Sequence, residues 1–385
     1  MIYLDNAATT QISTDVLSAM IPWFCAEYGN PESVYRPGWI ARDAVVNARK
    51  QVADFIGAEP SQIVFTSGGS EANSLALAGI YARRNPTLVV SEIEHSSIIS
   101  CCANYNKVLF VSPDKDGVVT VDSVKAELAK LSEDEPAIVS VMMENNETGV
   151  VNPVDEISRA VHMRKDTWFH TDCVQAAYAN KINVKEIGCD MLSISSHKLH
   201  GPKGVGALYV KDVLGVKKWT VPRIFGGAFQ ESGVRGGTEN VPGIVGFGAA
   251  CDEMRKNNNI SEQMKALRDA FLNYLKHELD GECGFLINGE HSSGKIINIA
   301  FRGVDGESLR AMLGARGVFV STGSACTSLE QEPSHVLTAM GVSGEVARCS
   351  IRISFSKLNT ETEVEYAAKV ISECVKMLKS VGAGL

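Results

Sequence analysis

Over the first 210 residues, short β-branched apolar runs alternate with segments of helical periodicity, and this alternation restricts the fold more than any other feature of the chain. Runs at 63–66, 87–90, 108–111, 137–141, 167–171, 191–194 and 207–210 read as strands. Runs apolar on both faces suit the middle of a parallel sheet covered by helices, not a sheet with one wet face. Between them, Ile40, Ala41, Ala44, Val45, Ala48, Val52, Phe55 and Ile56 fall near one face of a helix over 38–57. Similar helices fit 70–83, 122–132 and 153–164. The pattern predicts a three-layer α/β domain with a mostly parallel sheet, in which ligands bind beyond the carboxyl ends of the strands.

After about residue 240 the texture changes. A helical stretch at 242–257 leads to a charged helix at 261–280, a strand at 296–301 and a helix near 306–316. A Ser/Thr/Gly-rich loop at 321–328, a strand at 350–354 and a closing helix at 360–379 follow. In a chain of 385 residues this predicts two domains: a large α/β domain over 13–250, and a smaller α+β domain over 251–385 that residues 1–12 join.

A formal net charge of −8 gives no long-range attraction for polyanions, so no nucleic-acid partner is expected. No apolar run approaches the roughly 20 residues that span a bilayer, and the first ten residues lack the cationic and apolar regions of a signal peptide. A cytoplasmic protein without membrane attachment is the expectation. The ten cysteines, Cys25, Cys101, Cys102, Cys173, Cys189, Cys251, Cys283, Cys326, Cys349 and Cys374, form no CxxC pair, which points to reduced thiols and not to disulfides or a metal site. All but Cys326 read as small buried or half-buried side chains.

Several motifs carry chemistry. Lys198 follows the strand at 191–194 within Ser195-Ser196-His197-Lys198, ahead of a Gly-Pro turn. Burial and cationic neighbours lower a lysine pKa and free its amine to condense with a carbonyl, although a lysine near glycine serves as readily in a basic or phosphate-binding loop. Ser67-Gly68-Gly69-Ser70 lies at a strand-to-helix turn, where free N–H groups and a helix dipole suit a phosphate or simply a capped helix start. Asp172, followed by Gln175, reads either as a helix cap or as the partner of a pyridine nitrogen. His95 suits stacking on a flat ring or capping a helix, and Asn146 suits bonding a ring oxygen or a substrate carboxylate or forming a turn. Each motif alone is ambiguous; together they supply an anion cradle, a stacking ring, a pyridinium partner and an amine.

In these motifs, and in Tyr3-Leu4-Asp5-Asn6-Ala7-Ala8-Thr9, Asn145-Asn146-Glu147-Thr148-Gly149, Arg235-Gly236-Gly237-Thr238-Glu239-Asn240, Ser324-Ala325-Cys326-Thr327-Ser328 and Ser350-Ile351-Arg352, the chain resembles the cysteine desulfurases of the NifS/IscS type, in the aminotransferase class V group of fold-type I pyridoxal enzymes. The resemblance implies a PLP-transferase fold and pyridoxal 5'-phosphate as cofactor. It implies that Lys198 holds the cofactor, Asp172 pairs with its ring nitrogen, Gln175 bonds its ring hydroxyl and His95, counted among the catalytic residues, stacks on the ring. Gly69, Ser70, Ser195 and His197 are then the phosphate ligands, Thr238 reaches in from the second subunit of a homodimer, and Asn146 lies in the cofactor and substrate site. Asn146 and Arg352 hold the substrate carboxylate, a task to which a bidentate Arg is suited. The chain departs from the commoner pattern at Gly69-Ser70, where Ala-Thr is frequent, and at Ser196, Cys173 and Tyr35, where Gly, Ala and His are frequent.

Cys326 separates this reading from an aminotransferase. Its setting, Ser321-Thr322-Gly323-Ser324-Ala325-Cys326-Thr327-Ser328, is small and polar with no apolar periodicity, which suits a thiol that enters a site, takes sulfur and leaves. The expected reaction converts L-cysteine to L-alanine with the sulfur kept on Cys326 as a persulfide. The loop also resembles the branch of the family that passes sulfur to a scaffold protein, so an acceptor in iron–sulfur cluster assembly is expected. Activity on selenocysteine stays open.

Overall fold

The chain opens on a two-residue strand, β1 (Ile2–Tyr3), and then builds one sheet from β2 (Ile63–Thr66), β3 (Thr87–Ser91), β4 (Val108–Val111), β5 (Ala137–Ser140), β6 (Thr167–Asp172), β7 (Met191–Ser195) and β8 (Gly206–Val210). The computed structural model describes residues 1–212, 230–279, 284–322 and 333–382, with the backbone alone over 80–84. Across the sheet the order is β2-β8-β7-β6-β5-β3-β4; β8 is antiparallel to both neighbours and every other pair is parallel. All residues of the six strands β2, β3 and β5 to β8 are buried, as their apolar character on both faces requires. Only β4, at the edge, is partly exposed. The fold is α/β with a mostly parallel sheet, as the alternation predicts.

The helix Arg36–Ile56 buries Ala41, Val45, Ala48 and Val52, the face expected from periodicity. The helix expected over 122–132 ends at Leu128, because Lys130 and Leu131 bond three residues back (3.1 and 3.2 Å) and the tighter turn tucks Leu131 into the core. Two short helices, Thr14–Met20 and Pro22–Cys25, lie in a segment without a clear period. The second of them leaves Cys25 exposed, which corrects the expectation that the cysteines other than Cys326 are covered.

A second sheet contains β9 (Leu286–Asn288) and β10 (Ile296–Ala300), while β11 (Val318–Phe319) pairs in parallel with β1, and β12 (Ser350–Ser354) completes the order β12-β10-β9 with antiparallel pairing. The helix Val241–Lys256 packs on Arg36–Ile56, whereas Ile260–Leu279 packs on Glu361–Ser380. The N-terminal segment links the two sheets. Ser354 N–H donates to Leu4 O (2.7 Å), and six residues later Thr10 N–H donates to His197 O (3.0 Å), just beyond β7. Residues 5–9 are thereby drawn across the carboxyl ends of the main strands. Among the described residues no helix is long and apolar enough to cross a membrane.

Candidate active site

Because β8 reverses between β2 and β7, the carboxyl ends of β2, β3, β5, β6 and β7 all emerge on one side of the sheet. Asp172 ends β6, and the turns after the strands carry Gly69, His95, Asn146 and Lys198, in the arrangement expected for a ligand site of an open α/β sheet.

Lys198 ends a single 3₁₀ turn, Ser196–Lys198, and is 9% exposed. Its Nζ donates to Ala7 O and to Ala8 O, the latter at 2.8 Å. Burial first, then the Lys295 and Arg352 cations, bring its pKa from 10.5 down to about 7 against the pull of Asp5 and Asp172. Near pH 7 about half of this amine is neutral, whereas a solvated lysine is neutral to well under ~0.1%. In the cofactor-free protein the reactivity of Lys198 toward a small amine-selective reagent should rise with a midpoint near pH 7 and be lost below it, because the neutral fraction grows as pH passes upward through the lowered pKa. Peptide mapping of label against pH checks this; a midpoint above about pH 9 contradicts the burial argument.

Asp172 closes β6, buried. Its Oδ1 accepts from Val174 N–H (2.8 Å) and its Oδ2 from Asn73 Nδ2 (2.7 Å). Asn73 Nδ2 also donates to Ser97 Oγ (3.0 Å), and Ser97 N–H donates to His95 Nδ1 (3.1 Å). His95 therefore caps the helix Ser96–Ile99 and keeps its ring proton on Nε2. Burial lowers its pKa in spite of Asp172, so the ring is a neutral, flat face. The helix-cap reading of His95 holds.

Ala8, Thr9, Gly68, Gly69, Ser70, Ser195, His197 and Lys203 line a cavity of about 420 Å³ at the start of the helix Gly69–Arg84. A Cβ at Gly69 would lie 2.7 Å from Val174 Cγ2, so a larger residue there would have to displace the Val174 side chain in the loop after Asp172. Burial and the nearby Lys198, Lys203 and Lys295 push the His197 pKa down to about 4; its Nδ1 lies 3.2 Å from Thr9 Oγ1. The Gln175 amide donates from Nε2 to Ala7 O (2.8 Å).

Arg352, from the middle of β12, reaches this edge from the second sheet. Its guanidinium bonds Asn146 O (3.0 Å) and Asp5 Oδ1 (2.8 Å), while Arg352 Nε and Asn146 Oδ1 are buried without a hydrogen-bond partner among the described residues. The turn carrying Asn146 depends on Gly149, whose φ of +75° and whose approach to Ile296 O (2.7 Å from a built Cβ) exclude a side chain.

Thr238 is exposed and lines neither the cavity above nor a smaller one of about 50 Å³ bordered by its neighbours Gly237 and Glu239. Cys326 lies outside the described residues. The segments flanking it are anchored beside the site: Ser321 N–H bonds Arg352 O (3.1 Å), Ser334 Oγ donates to Glu147 (2.5 Å), and His335 Nε2 lies 2.9 Å from Glu94 O.

Residues without an assigned role in the sequence reading complete the arrangement. Asn73 joins Asp172 to Ser97; Asp5 holds Arg352; Ala7 and Ala8 meet Lys198. Glu94 is fully buried, with its pKa raised well above the usual range first by burial and then by Asp172. Glu94 directly precedes His95 and Asn73 lies three residues after Ser70, and that nearness in sequence is the available signal.

The model of the family described as aminotransferase class-V matches residues 2–367. The cysteine desulfurase IscS of Methanosarcina thermophila is 38% identical over 395 residues, covering 99% of this chain and 93% of that protein. The cysteine desulfurase IscS of Anaeromyxobacter dehalogenans (strain 2CP-C) is 40% identical over 391 residues, covering 99% and 94%. Among solved structures, a NifS-like protein superposes with a TM-score of 0.88 at 33% identity, covering 98% of this chain and 100% of the other. A structure of SspA in complex with cysteine gives 0.80 at 32% identity, covering 94% and 100%. By family match, full-length likeness and fold, the chain belongs to the aminotransferase class-V family and stands there among the cysteine desulfurases.

Proposed function

We propose that this chain removes sulfur from L-cysteine, releases L-alanine and keeps the sulfur on Cys326 as a persulfide, with pyridoxal phosphate as cofactor. The observation that carries the reading is Lys198, a buried strand-end amine with a pKa near 7, set beside Asp172 and a glycine cradle. The donor set fits the cofactor. An aldehyde needs a neutral amine, a phosphate needs the N–H groups and small side chains around Gly69, and a pyridinium needs a fixed carboxylate. The unpartnered Arg352 Nε and Asn146 Oδ1 mark further polar capacity within reach of the same edge. When bound, the cofactor supplies an electron sink that loosens the bonds at the substrate's Cα and then Cβ.

The chain's own residues divide the remaining work. Lys198 would hold the cofactor and would move the proton at the substrate's Cα. Asp172, fixed by Asn73 and Val174, would pair with the ring nitrogen, Gln175 would bond the ring hydroxyl, and the neutral His95 ring would stack on the cofactor. Gly69, Ser70, Ser195 and His197 take the phosphate, and Asn146 and Arg352 the substrate carboxylate. Cys326, as thiolate, attacks the substrate sulfur: the Cβ–S bond breaks, an S–S bond forms, and a proton goes to Cβ. A cytoplasmic acceptor protein in iron–sulfur cluster assembly is the proposed destination, by the likeness of the 321–328 loop to the long-loop branch. Incubation of the purified protein with L-cysteine and a thiol reductant should give alanine and sulfide one for one. A keto acid in place of alanine would mean transamination and would remove this reading.

Thr238 is proposed to serve the partner subunit of a homodimer, supported by its exposure and by its absence from the lining of its own chain's cavity. Mixing a Thr238→Ala subunit with a Lys198→Ala subunit gives hybrid dimers with one site lacking both groups and one lacking neither. Activity should partly return. No recovery after demonstrated subunit exchange would place Thr238 in its own subunit's site.

A further inference from the structure

Lys295 is 0% exposed, and no step above uses it. A lysine is costly to bury unless it is paired and hydrogen-bonded. It stands at the start of β10, where its backbone carbonyl accepts from Phe355 N–H (2.8 Å), and its side chain crosses to the main sheet. There Nζ donates to Gln175 Oε1 (3.3 Å) and sits 4.5 Å from the centre of the Tyr178 ring. The same glutamine donates from Nε2 to Ala7 O (2.8 Å), the carbonyl that also accepts from Lys198 Nζ.

We propose that Lys295 is a positioning residue: by donating to Gln175 Oε1 it fixes which way the Gln175 amide faces, and so sets what that amide offers to Ala7, to Lys198 and to the cofactor. The inference rests on the proposed pyridoxal phosphate site. An ammonium group has three donors and no acceptor, so the amide oxygen must face Lys295 and the NH₂ must face Ala7 and the site. The terminal torsion of glutamine is broad and roughly two-fold. Without Lys295 the flipped amide becomes available, and it sets two acceptors, Oε1 and Ala7 O, against each other.

Charge acts along the same line. After burial, Lys295 is the largest influence lowering the proton affinity of Lys198; Arg352 acts in the same direction and Asp5 and Asp172 against it. Lys295 is itself pulled two ways, lowered to about 8 chiefly by burial and also by Arg352, with Glu144 opposing. Glu144 is in turn raised by burial to about 7 and bonded to Ser293 Oγ (2.8 Å) and Asn180 Nδ2 (2.5 Å). Asn180 and Gln175 flank Tyr178 on one side of the gap, and Ser293 and Lys295 stand two residues apart on the other. The buried acid and the buried base therefore both tie the second sheet to the floor of the site.

The test uses full-length protein with four changes: Lys295→Met, Lys295→Gln, Gln175→Leu, and Gln175→Leu combined with Lys295→Met. Two quantities are read without L-cysteine: the dissociation constant of pyridoxal phosphate, and the pH midpoint of its visible absorption when bound. Lys295→Met should weaken the cofactor about tenfold through loss of the ordered amide and move the midpoint up by about one unit through loss of the cation. Lys295→Gln, whose NH₂ can donate but whose oxygen can also accept, should restore the affinity only in part and should leave the midpoint unrestored. In the Gln175→Leu background, Lys295→Met should change affinity by less than about twofold, since the amide on which it acts is gone, and should still move the midpoint. Equal affinity losses with and without Gln175, or an affinity that Lys295→Gln leaves unrestored, would overturn the positioning role. A wild-type protein that takes up no pyridoxal phosphate would overturn the cofactor reading as well, so the two failures are told apart by the wild-type control.

Discussion

Lys198→Ala should leave a folded protein that makes no alanine from L-cysteine. The loss should reach several powers of ten, on the order of 10⁶ at the extreme seen when an acting nucleophile is removed. Folding should survive, because Ala7 O keeps its bond from Gln175 Nε2 and only Ala8 O, at the edge of an open cavity, loses the bond from Lys198. Among the described residues no other amine is placed to replace Lys198. Lys203 borders the same cavity but is exposed, and Lys295 is turned toward Gln175 and Tyr178. Borohydride reduction of the wild-type protein loaded with pyridoxal phosphate, followed by peptide mapping, should place the pyridoxyl group on Lys198. Label on Lys203 or Lys295 would sink the assignment.

Cys326→Ala should stop alanine release by a comparable factor while leaving cofactor binding intact. The two outcomes separate because the residues proposed to hold the cofactor, Lys198, Asp172, Gln175 and Gly69, lie at or just beyond the carboxyl ends of the main strands, remote in sequence from position 326. The visible absorption of the loaded variant should match wild type and should still change on addition of L-cysteine. Without a thiolate the substrate sulfur has no acceptor, so its Cβ–S bond persists. Five of the other cysteines are poor substitutes. Burial raises the pKa of Cys101, Cys173, Cys251 and Cys374, and carries Cys102 up to about 11, which leaves little thiolate at neutral pH. Near-normal alanine production by Cys326→Ala would contradict the proposal.

Much of the fold is legible in the sequence because its elements are decided locally. Strands β2, β3 and β5 to β8 are buried on both faces, so their residues are apolar without alternation, and the helix Arg36–Ile56 carries its buried face at regular spacing. The strand-end lysine and the glycine turn are legible for the same reason, since each motif directly follows a strand. What escapes local pattern is set by distance along the chain. The bond from Asn73 to Asp172 joins residues 99 apart, and Gln175 meets Lys295 across 120. In sequence, Ser292-Ser293-Gly294-Lys295 looks like a polar turn ending in a surface lysine, and only the packing of the second sheet against the first buries it. Strand β1 is too short to carry a period and owes its form to pairing with β11, more than 300 residues away.

The most direct test of the central claim is to follow one sulfur atom. Wild-type protein loaded with pyridoxal phosphate is given L-cysteine for limited turnover without a reductant, quenched, digested and analysed by mass spectrometry. The peptide containing Cys326 should carry one additional sulfur, removable by a thiol reductant, in an amount matching the alanine formed. Sulfur found instead on Cys102 or Cys349, or alanine formed with no sulfur on the Cys326 peptide, would contradict the account.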